Sequence, residues 1–240
     1  MSLFNRKTVG ATPAYTLRAL ARLLSYPDAE LRESVPDLLK VLVSEAALDA
    51  DRLQGLRKLL GSLIDQDIME VEQAYVELFD RGRASSLHLF EHVHGDSRDR
   101  GPAMIDLVKT YEQGGMRLDP DKVGGELPDY LPIVLEFVST LPFEQMRDFI
   151  GEIAHILNAV HTALIKRRSL YAHVLAAVLE IGQQPIETVA VPEDEDLDES
   201  WAEPEAFAGC SSKGQQSPDQ PQPIQIVRRA ASTPQRGASA

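Results

Sequence analysis

Apolar residues recur at intervals of three and four along most of the first 182 residues, the spacing that brings them onto one face of an α-helix. The first such segment opens with Pro13 at its first helical position and stops at Tyr26-Pro27. Two more segments follow, the second from about Asp51, and Pro36 in the earlier one is expected to kink it or split it in two. The pattern predicts ordinary bundle helices in this part of the chain.

Two shorter helices are predicted next. Asp67 and Glu70 have the three-residue spacing of a capping box, and the helix that they open should end at Asp80. Residues 85–95 form the second helix, which closes at Gly95. The side chains that share one side of this second helix are Leu87, Phe90 and His94.

Glycine and proline separate the remaining helices. One opens near Pro102, and the stretch 116–125 after it has no hydrophobic period and is expected to be an exposed loop. Further helices follow Pro132 and Pro142, and the last ends at Gly182. Because aliphatic residues dominate and alternating β-branched segments are few, the sequence predicts an all-α, single-domain helical bundle.

The chain changes character after the last predicted helix. Eight of the thirteen residues from 193 to 205 are Asp or Glu, and Ser, Gln, Pro and Ala dominate from residue 211 onward. Such a composition cannot bury enough apolar surface to offset the entropy that is lost on ordering. The expected organisation is a flexible N-terminus at 1–12, an all-helical domain at 13–183, and a disordered tail at 184–240.

The charge and the cysteine content of the chain limit the possible partners and the possible cellular compartment. The chain has 24 Lys and Arg against 37 Asp and Glu, a formal charge of −13, so partners with basic segments are favoured and no nucleic-acid partner is expected. Cys210 is the only cysteine, which excludes a disulfide framework and fits a reducing compartment. With neither a signal-peptide core nor a membrane-length apolar run, we expect a cytoplasmic protein without direct membrane insertion.

The histidines between residues 88 and 94 suggest metal ligation at first sight. On one helix His88 and His92 would be four residues apart, with Glu91 beside them, but His94 would point about 200° away from His92. No phosphate-binding loop or nucleophile motif accompanies them. A metal-dependent enzyme that uses the His88/Glu91/His92 cluster is therefore the alternative hypothesis, and a structural adaptor is a third.

Peptide recognition accounts better for the aromatic and charged residues of the central stretch, residues 75–142. A groove lined by Leu, Phe and Tyr would accept the apolar face of an amphipathic helix, and carboxylates at its rim would attract Lys or Arg on that helix. Spacing alone leaves it open whether Phe79, Phe90 and Tyr130 line such a groove or belong to the core.

The same central stretch resembles the respiratory nitrate reductase assembly chaperone family, the delta subunit or NarJ-like proteins within the TorD-type redox-enzyme maturation chaperones. The similarity covers roughly residues 17–182, and a shorter match in the tail includes Trp201 and Phe207, which would alternatively dock back on the bundle. The stretches that carry the resemblance are Leu23-Leu-Ser-Tyr-Pro-Asp, Tyr75-Val-Glu-Leu-Phe-Asp-Arg-Gly-Arg, Ser86-Leu-His-Leu-Phe-Glu-His-Val-His-Gly and Glu126-Leu-Pro-Asp-Tyr-Leu-Pro.

The resemblance implies a cytoplasmic, TorD-like helical chaperone that has no enzymatic activity and no cofactor of its own. It implies binding to the apo catalytic alpha subunit of nitrate reductase, through that subunit's N-terminal peptide and a second region, so that the molybdenum cofactor can be inserted before membrane docking. Molybdenum cofactor biosynthesis proteins are further candidate partners. The residues that the matched motifs assign to the client-peptide surface are Phe79, Asp80, Leu87, Phe90, Glu91, His92, His94, Asp129 and Tyr130.

Overall fold

The computed structural model describes residues 12–95, 97–119 and 123–190, and these residues form an all-α bundle. A short 3-10 turn, Arg83–Ser85, lies between α4 and α5. The α-helices in chain order are α1 (Ala14–Leu24), α2 (Ala29–Glu45), α3 (Ala50–Asp65), α4 (Ile68–Phe79), α5 (Leu89–Val93), α6 (Arg100–Gln113), α7 (Leu131–Thr140), α8 (Phe143–Lys166) and α9 (Ala172–Ile181). The prediction of an all-α bundle is confirmed.

The centre of the bundle is formed by the helices whose sequences are apolar on every side. α7 and α9 are buried around most of their circumference, and α7 packs chiefly against α1 while α9 packs against α8. A helix without a polar face gains free energy only when other helices surround it. The amphipathic helices α2, α3 and α4 accordingly lie further out, with one buried stripe each.

Of the two outcomes expected at Pro36, a split is absent: α2 runs through Pro36, which lies on its exposed side, where water can satisfy the carbonyl group that the proline leaves unpaired. Another helix prediction was wrong in detail. Residues 85–95 do not form one helix, because residues 87–89 bond instead to residues 129 and 131 of a distant segment. Only the five residues of α5 remain helical there.

The chain stays bonded to the bundle beyond α9. The Asn158 side chain of α8 donates to the Pro185 carbonyl at 3.2 Å and accepts from the Glu187 amide at 2.8 Å. The Val189 amide donates to the Thr162 hydroxyl at 3.3 Å. Residues 1–11 and 191–240, including Trp201, Phe207 and Cys210, lie outside the described residues.

None of the helices in the described ranges is both long enough and apolar enough to cross a membrane.

Candidate client-binding surface

The C-terminal end of α4 forms the first wall of the candidate surface. The Asp67 carboxylate accepts a hydrogen bond from the Met69 amide at 2.9 Å and so starts the helix, as expected of a capping residue. Val71, Tyr75 and Phe79 then recur every four residues and are buried. The helix ends at Asp80, whose side chain is exposed.

A backbone pairing between two distant segments forms the second wall. The Leu89 amide donates to the Asp129 carbonyl at 3.1 Å, and the Leu131 amide donates to the Leu87 carbonyl at 2.8 Å. This antiparallel bridge puts His88 opposite Tyr130, with ring centroids 5.4 Å apart. The pairing holds the start of α5 against the start of α7.

Asp129 is the buried centre of this pairing. Its side chain has no exposed surface, and one carboxylate oxygen accepts from the Phe90 amide at 2.9 Å. That amide lies in the first turn of α5, where it has no partner within the helix, and the side chain of the N-cap residue His88 does not accept from it. His88 Nδ1 lies 3.4 Å from Oδ1 of Asp129, and Arg100 Nη2 lies 3.9 Å from Oδ2, the oxygen that accepts from the Phe90 amide. Asp129 therefore caps α5 from a different part of the chain.

The three histidines face different partners. The hydrogen bond to Asp129 raises the pKa of His88. The Nε2 atom of His88 lies 3.6 Å from the Glu126 carboxylate. His92 bonds through Nε2 to the Ser86 carbonyl at 2.9 Å, and burial lowers its pKa. His94 packs its ring against Phe90. His88 precedes α5 and does not share a helical face with His92, so the geometry assumed for the metal hypothesis is absent from this segment.

An aromatic pocket of about 100 Å³ lies between α4 and the paired segments. Tyr75 and Tyr130 form part of its wall, and the Tyr75 hydroxyl donates to the Leu24 carbonyl at 2.6 Å. Asp80 and Glu126 also line this pocket, and both are exposed. The remaining lining residues are Tyr26, Phe79, Leu87 and His88.

Two exposed carboxylates, Asp80 and Glu126, make the rim of this pocket acidic. Burial and the carboxylates of Glu126 and Asp80 raise the pKa of Tyr130 to about 12, although its hydrogen bond with Tyr75 acts in the opposite direction. The pKa of Tyr26 at the rim is also raised, by desolvation and by nearby Glu72. Aromatic faces beside carboxylates are the combination that holds an ammonium or guanidinium group in proteins.

A second cavity of about 320 Å³ lies on the other side of Asp80 and is lined by three arginines. Arg83 donates to the Glu91 carbonyl at 2.9 and 3.1 Å, and Arg100 lies 3.5 Å from the Glu91 carboxylate. A Cβ at Gly95 would meet the Arg83 guanidinium, and the φ of +53° at this position also favours glycine. The third arginine, Arg81, is exposed.

The nine residues assigned from the sequence lie in one region but at different depths. Three are buried and support the surface from below, namely Phe79, Leu87 and Asp129. Five are partly exposed, namely Phe90, Glu91, His92, His94 and Tyr130. Asp80 is fully at the surface.

Four further residues that shape this region are not among those assigned from the sequence. Tyr26 was interpreted only as a helix stop, although the stretch that contains it carried part of the family resemblance. Tyr75 lies in the buried stripe of α4, and nothing in its spacing indicates that its hydroxyl reaches Leu24. Glu126 and Arg100 belong to loops and helix ends, where periodicity gives no signal.

The fold of the chain is similar to that of a solved structure. A crystal structure from Archaeoglobus fulgidus, of a candidate redox enzyme maturation protein, superposes with a TM-score of 0.52 over 76% of this chain and 99% of that chain. The two sequences are 16% identical, so the likeness concerns the fold alone.

The sequence comparisons identify the family. Residues 28–177 match the model of the nitrate reductase delta subunit family. The nitrate reductase molybdenum cofactor assembly chaperone NarJ of Escherichia coli K12 is 39% identical over 174 residues, 72% of each chain. A protein assigned the same role in Bacillus subtilis (strain 168) is 36% identical over 168 residues, 69% of this chain and 88% of that one. The chain therefore belongs to the nitrate reductase delta subunit family.

Membership in this family makes the chain a dedicated maturation chaperone and not an enzyme. The prediction of a nitrate reductase maturation chaperone is thereby confirmed. The alternative of a metal-dependent enzyme built on His88, Glu91 and His92 is not supported.

Proposed function

We propose that this chaperone binds the apo catalytic alpha subunit of a respiratory nitrate reductase in the cytoplasm, and that it permits insertion of the molybdenum cofactor before the subunit docks at the membrane. The chaperone is absent from the finished enzyme. The names of its relatives, which are chaperones for nitrate reductase molybdenum cofactor assembly, support this client. The acidic aromatic pocket beside Asp80 is the observation on which the proposed binding site rests.

The client's N-terminal peptide binds as a short amphipathic helix along the surface formed by the end of α4, α5 and the start of α7. Partly exposed Phe90 and Tyr130 supply apolar contact area, while Asp80 and Glu126 attract a Lys or Arg of the peptide. Phe79 and Leu87 are largely buried and line the pocket from below, while fully buried Asp129 keeps this surface in shape. A second region of the client contacts the chaperone elsewhere.

Release follows from a difference in affinity. The chaperone binds the apo conformation of its client more tightly than the loaded conformation, so cofactor insertion shifts the equilibrium toward dissociation. A chaperone with equal affinity for both conformations would change neither population. The binding energy is therefore coupled to the loading state of the client.

Calorimetry with a synthetic peptide that covers about the first fifteen residues of the alpha subunit tests the proposed surface. We expect saturable binding to the full chain, and binding up to about fivefold weaker for Asp80→Asn, because an exposed charge pair contributes up to about 1 kcal/mol. The matched control is Asp106→Asn on α6, which removes an equally exposed carboxylate that does not line the pocket.

Phe90→Ala tests the apolar part of the same surface, after thermal melting has shown that the variant is folded. We expect a loss of about tenfold in affinity, which corresponds to about 1.4 kcal/mol, because an aromatic anchor near the centre of an interface carries a large share of the binding energy. Absence of saturable binding to the full chain, or unchanged affinity in both folded variants, would contradict the proposed site.

A further inference from the structure

A third concave surface lies away from the candidate client-binding surface, between the end of α6, α7 and the first half of α8. It is an open groove of about 380 Å³, which we call the α6–α8 groove. Its apolar floor consists of Phe137, Phe149 and Leu141, of which Phe149 and Leu141 are partly exposed. The rings of Phe137 and Phe149 pack edge to face with centroids 5.7 Å apart. An apolar floor of this kind gains free energy when a further chain segment covers it.

The wall that α8 contributes to this groove is acidic. Asp148 and Glu152 line the groove and are exposed, and Glu144 lies one turn before Asp148. Arg147 lies 2.8 Å from the Glu144 carboxylate and 3.0 Å from that of Asp148, so it offsets one of the three negative charges. A net negative charge remains beside the apolar floor, which favours an occupant with both apolar and basic side chains.

The start of the described chain is attached to the same groove. The Thr12 hydroxyl donates a hydrogen bond of 2.6 Å to the carbonyl of Leu141, which is a lining residue. The segment immediately before Thr12 contains Leu3, Phe4 and the basic pair Arg6-Lys7. At up to about 3.3 Å per residue, the segment from Thr12 back to Leu3 can extend about 30 Å from its attachment beside Leu141. This segment has the apolar and basic side chains that the groove requires.

We propose that residues 3–9 of this chain occupy the α6–α8 groove, with Leu3 or Phe4 on Phe149 and Arg6 or Lys7 beside Glu152. Tethering through Thr12 raises the local concentration of the segment to about the millimolar range, so weak contacts suffice to keep the groove covered. The groove is then an intramolecular docking site, and it is distinct from the surface proposed for the client.

Disulfide trapping in the full chain tests this proposal. In a Cys210→Ser background, Asn5→Cys is combined with Gln145→Cys on the groove wall or, as the control, with Lys58→Cys on α3, which does not line the groove. We expect the intramolecular disulfide with Gln145→Cys to form about tenfold faster than the one with Lys58→Cys, because only the first pair is held together.

A charge exchange supplies the second measurement. Glu152→Lys should slow trapping at Gln145→Cys, and adding Arg6→Glu to that variant should restore the rate, since the exchange rebuilds an opposite-charge pair. Equal rates for the two cysteine positions would overturn the proposal. A disulfide that links two chains, rather than closing within one, would instead show that a second copy occupies the groove and would overturn it as well.

Discussion

Asp129 shows how one residue links recognition to stability. The family motif includes it among the candidate surface residues, yet its carboxylate is fully buried and caps α5 across the chain. A buried carboxylate is tolerated only when hydrogen bonds and charges satisfy it, and here the Phe90 amide, His88 and Arg100 do so. Asp129 therefore positions the surface, and peptide binding depends on it indirectly.

Replacing Asp129 should destabilise the whole domain. Asp129→Ala leaves the Phe90 amide unsatisfied and removes the partner of two basic groups, so we expect a loss of about 3 kcal/mol in the free energy of unfolding. Urea denaturation measures it. The exposed carboxylate of Asp106 serves as the control, and Asp106→Ala should change stability by less than about 0.5 kcal/mol. A stable Asp129→Ala variant would contradict the capping role.

His88 should make stability depend on pH. Its pKa is raised in the folded state by the hydrogen bond to Asp129 and by the nearby charges of Asp129, Glu91 and Glu126. The folded state therefore binds the proton of His88 more tightly than the unfolded state does. The resulting contribution to the free energy of unfolding is fully present below the ordinary imidazole pKa of about 6.5, and it is lost as the pH rises through the raised pKa of the folded state.

The lowered pKa values of His92, His161 and His173 make stability change with pH in the opposite direction. Because these three histidines are present in both proteins, their effect cancels when the stability of wild type is compared with that of His88→Gln. Urea denaturation between pH 5.5 and about 8.5 should show the stability advantage of wild type shrinking as the pH rises. An advantage that grows with pH would contradict the assignment.

At the scale of elements, hydrophobic spacing predicts long helices well and short ones poorly. α8 and α9 lie where the three-and-four spacing puts them, because many buried residues reinforce the same pattern. α5 has five residues and depends on Asp129, which lies about forty residues away in sequence. A local pattern cannot reveal a capping residue that folding brings in from another segment, so the predicted helix over residues 85–95 was too long.

The two ends of α6 should respond oppositely to added methyl groups. A Cβ at Gly114, where α6 ends, would collide with the buried Phe137 ring, whereas nothing lies within 4 Å of a Cβ at Gly101 in the first turn. We expect Gly114→Ala to cost about 1–3 kcal/mol. Gly101→Ala should instead gain about 0.4–1 kcal/mol by restricting the unfolded chain. Thermal or urea denaturation of the two variants checks both signs.

At the scale of the whole molecule, the bundle and the family were predictable from the sequence, while the depth of each site residue was not. Helical periodicity predicts the buried stripe of α4. It does not predict that Phe79 lines the bottom of a pocket and that Asp80 lies at the rim of the same pocket. The pairing of His88 with Tyr130 brings segments together that no local pattern connects. The boundary of the domain is a further property that depends on such long-range contacts.

Truncation should place the domain boundary beyond α9. Removing residues 191–240 should leave thermal stability nearly unchanged if that segment is dispensable, as its composition predicts. Removing residues 184–240 also deletes the partners of the buried Asn158 side chain, so we expect an additional loss of about 1–3 kcal/mol. Equal stability of the two truncated proteins would contradict the structural role of residues 184–190.

The central claim is that the chaperone distinguishes its client by loading state. Biolayer interferometry with immobilised full chain, against purified alpha subunit in the apo and the molybdenum cofactor-loaded forms, tests it most directly. We predict that the apo form binds at least about a hundredfold more tightly, a difference of about 2.7 kcal/mol. Equal dissociation constants for the two forms would contradict the account.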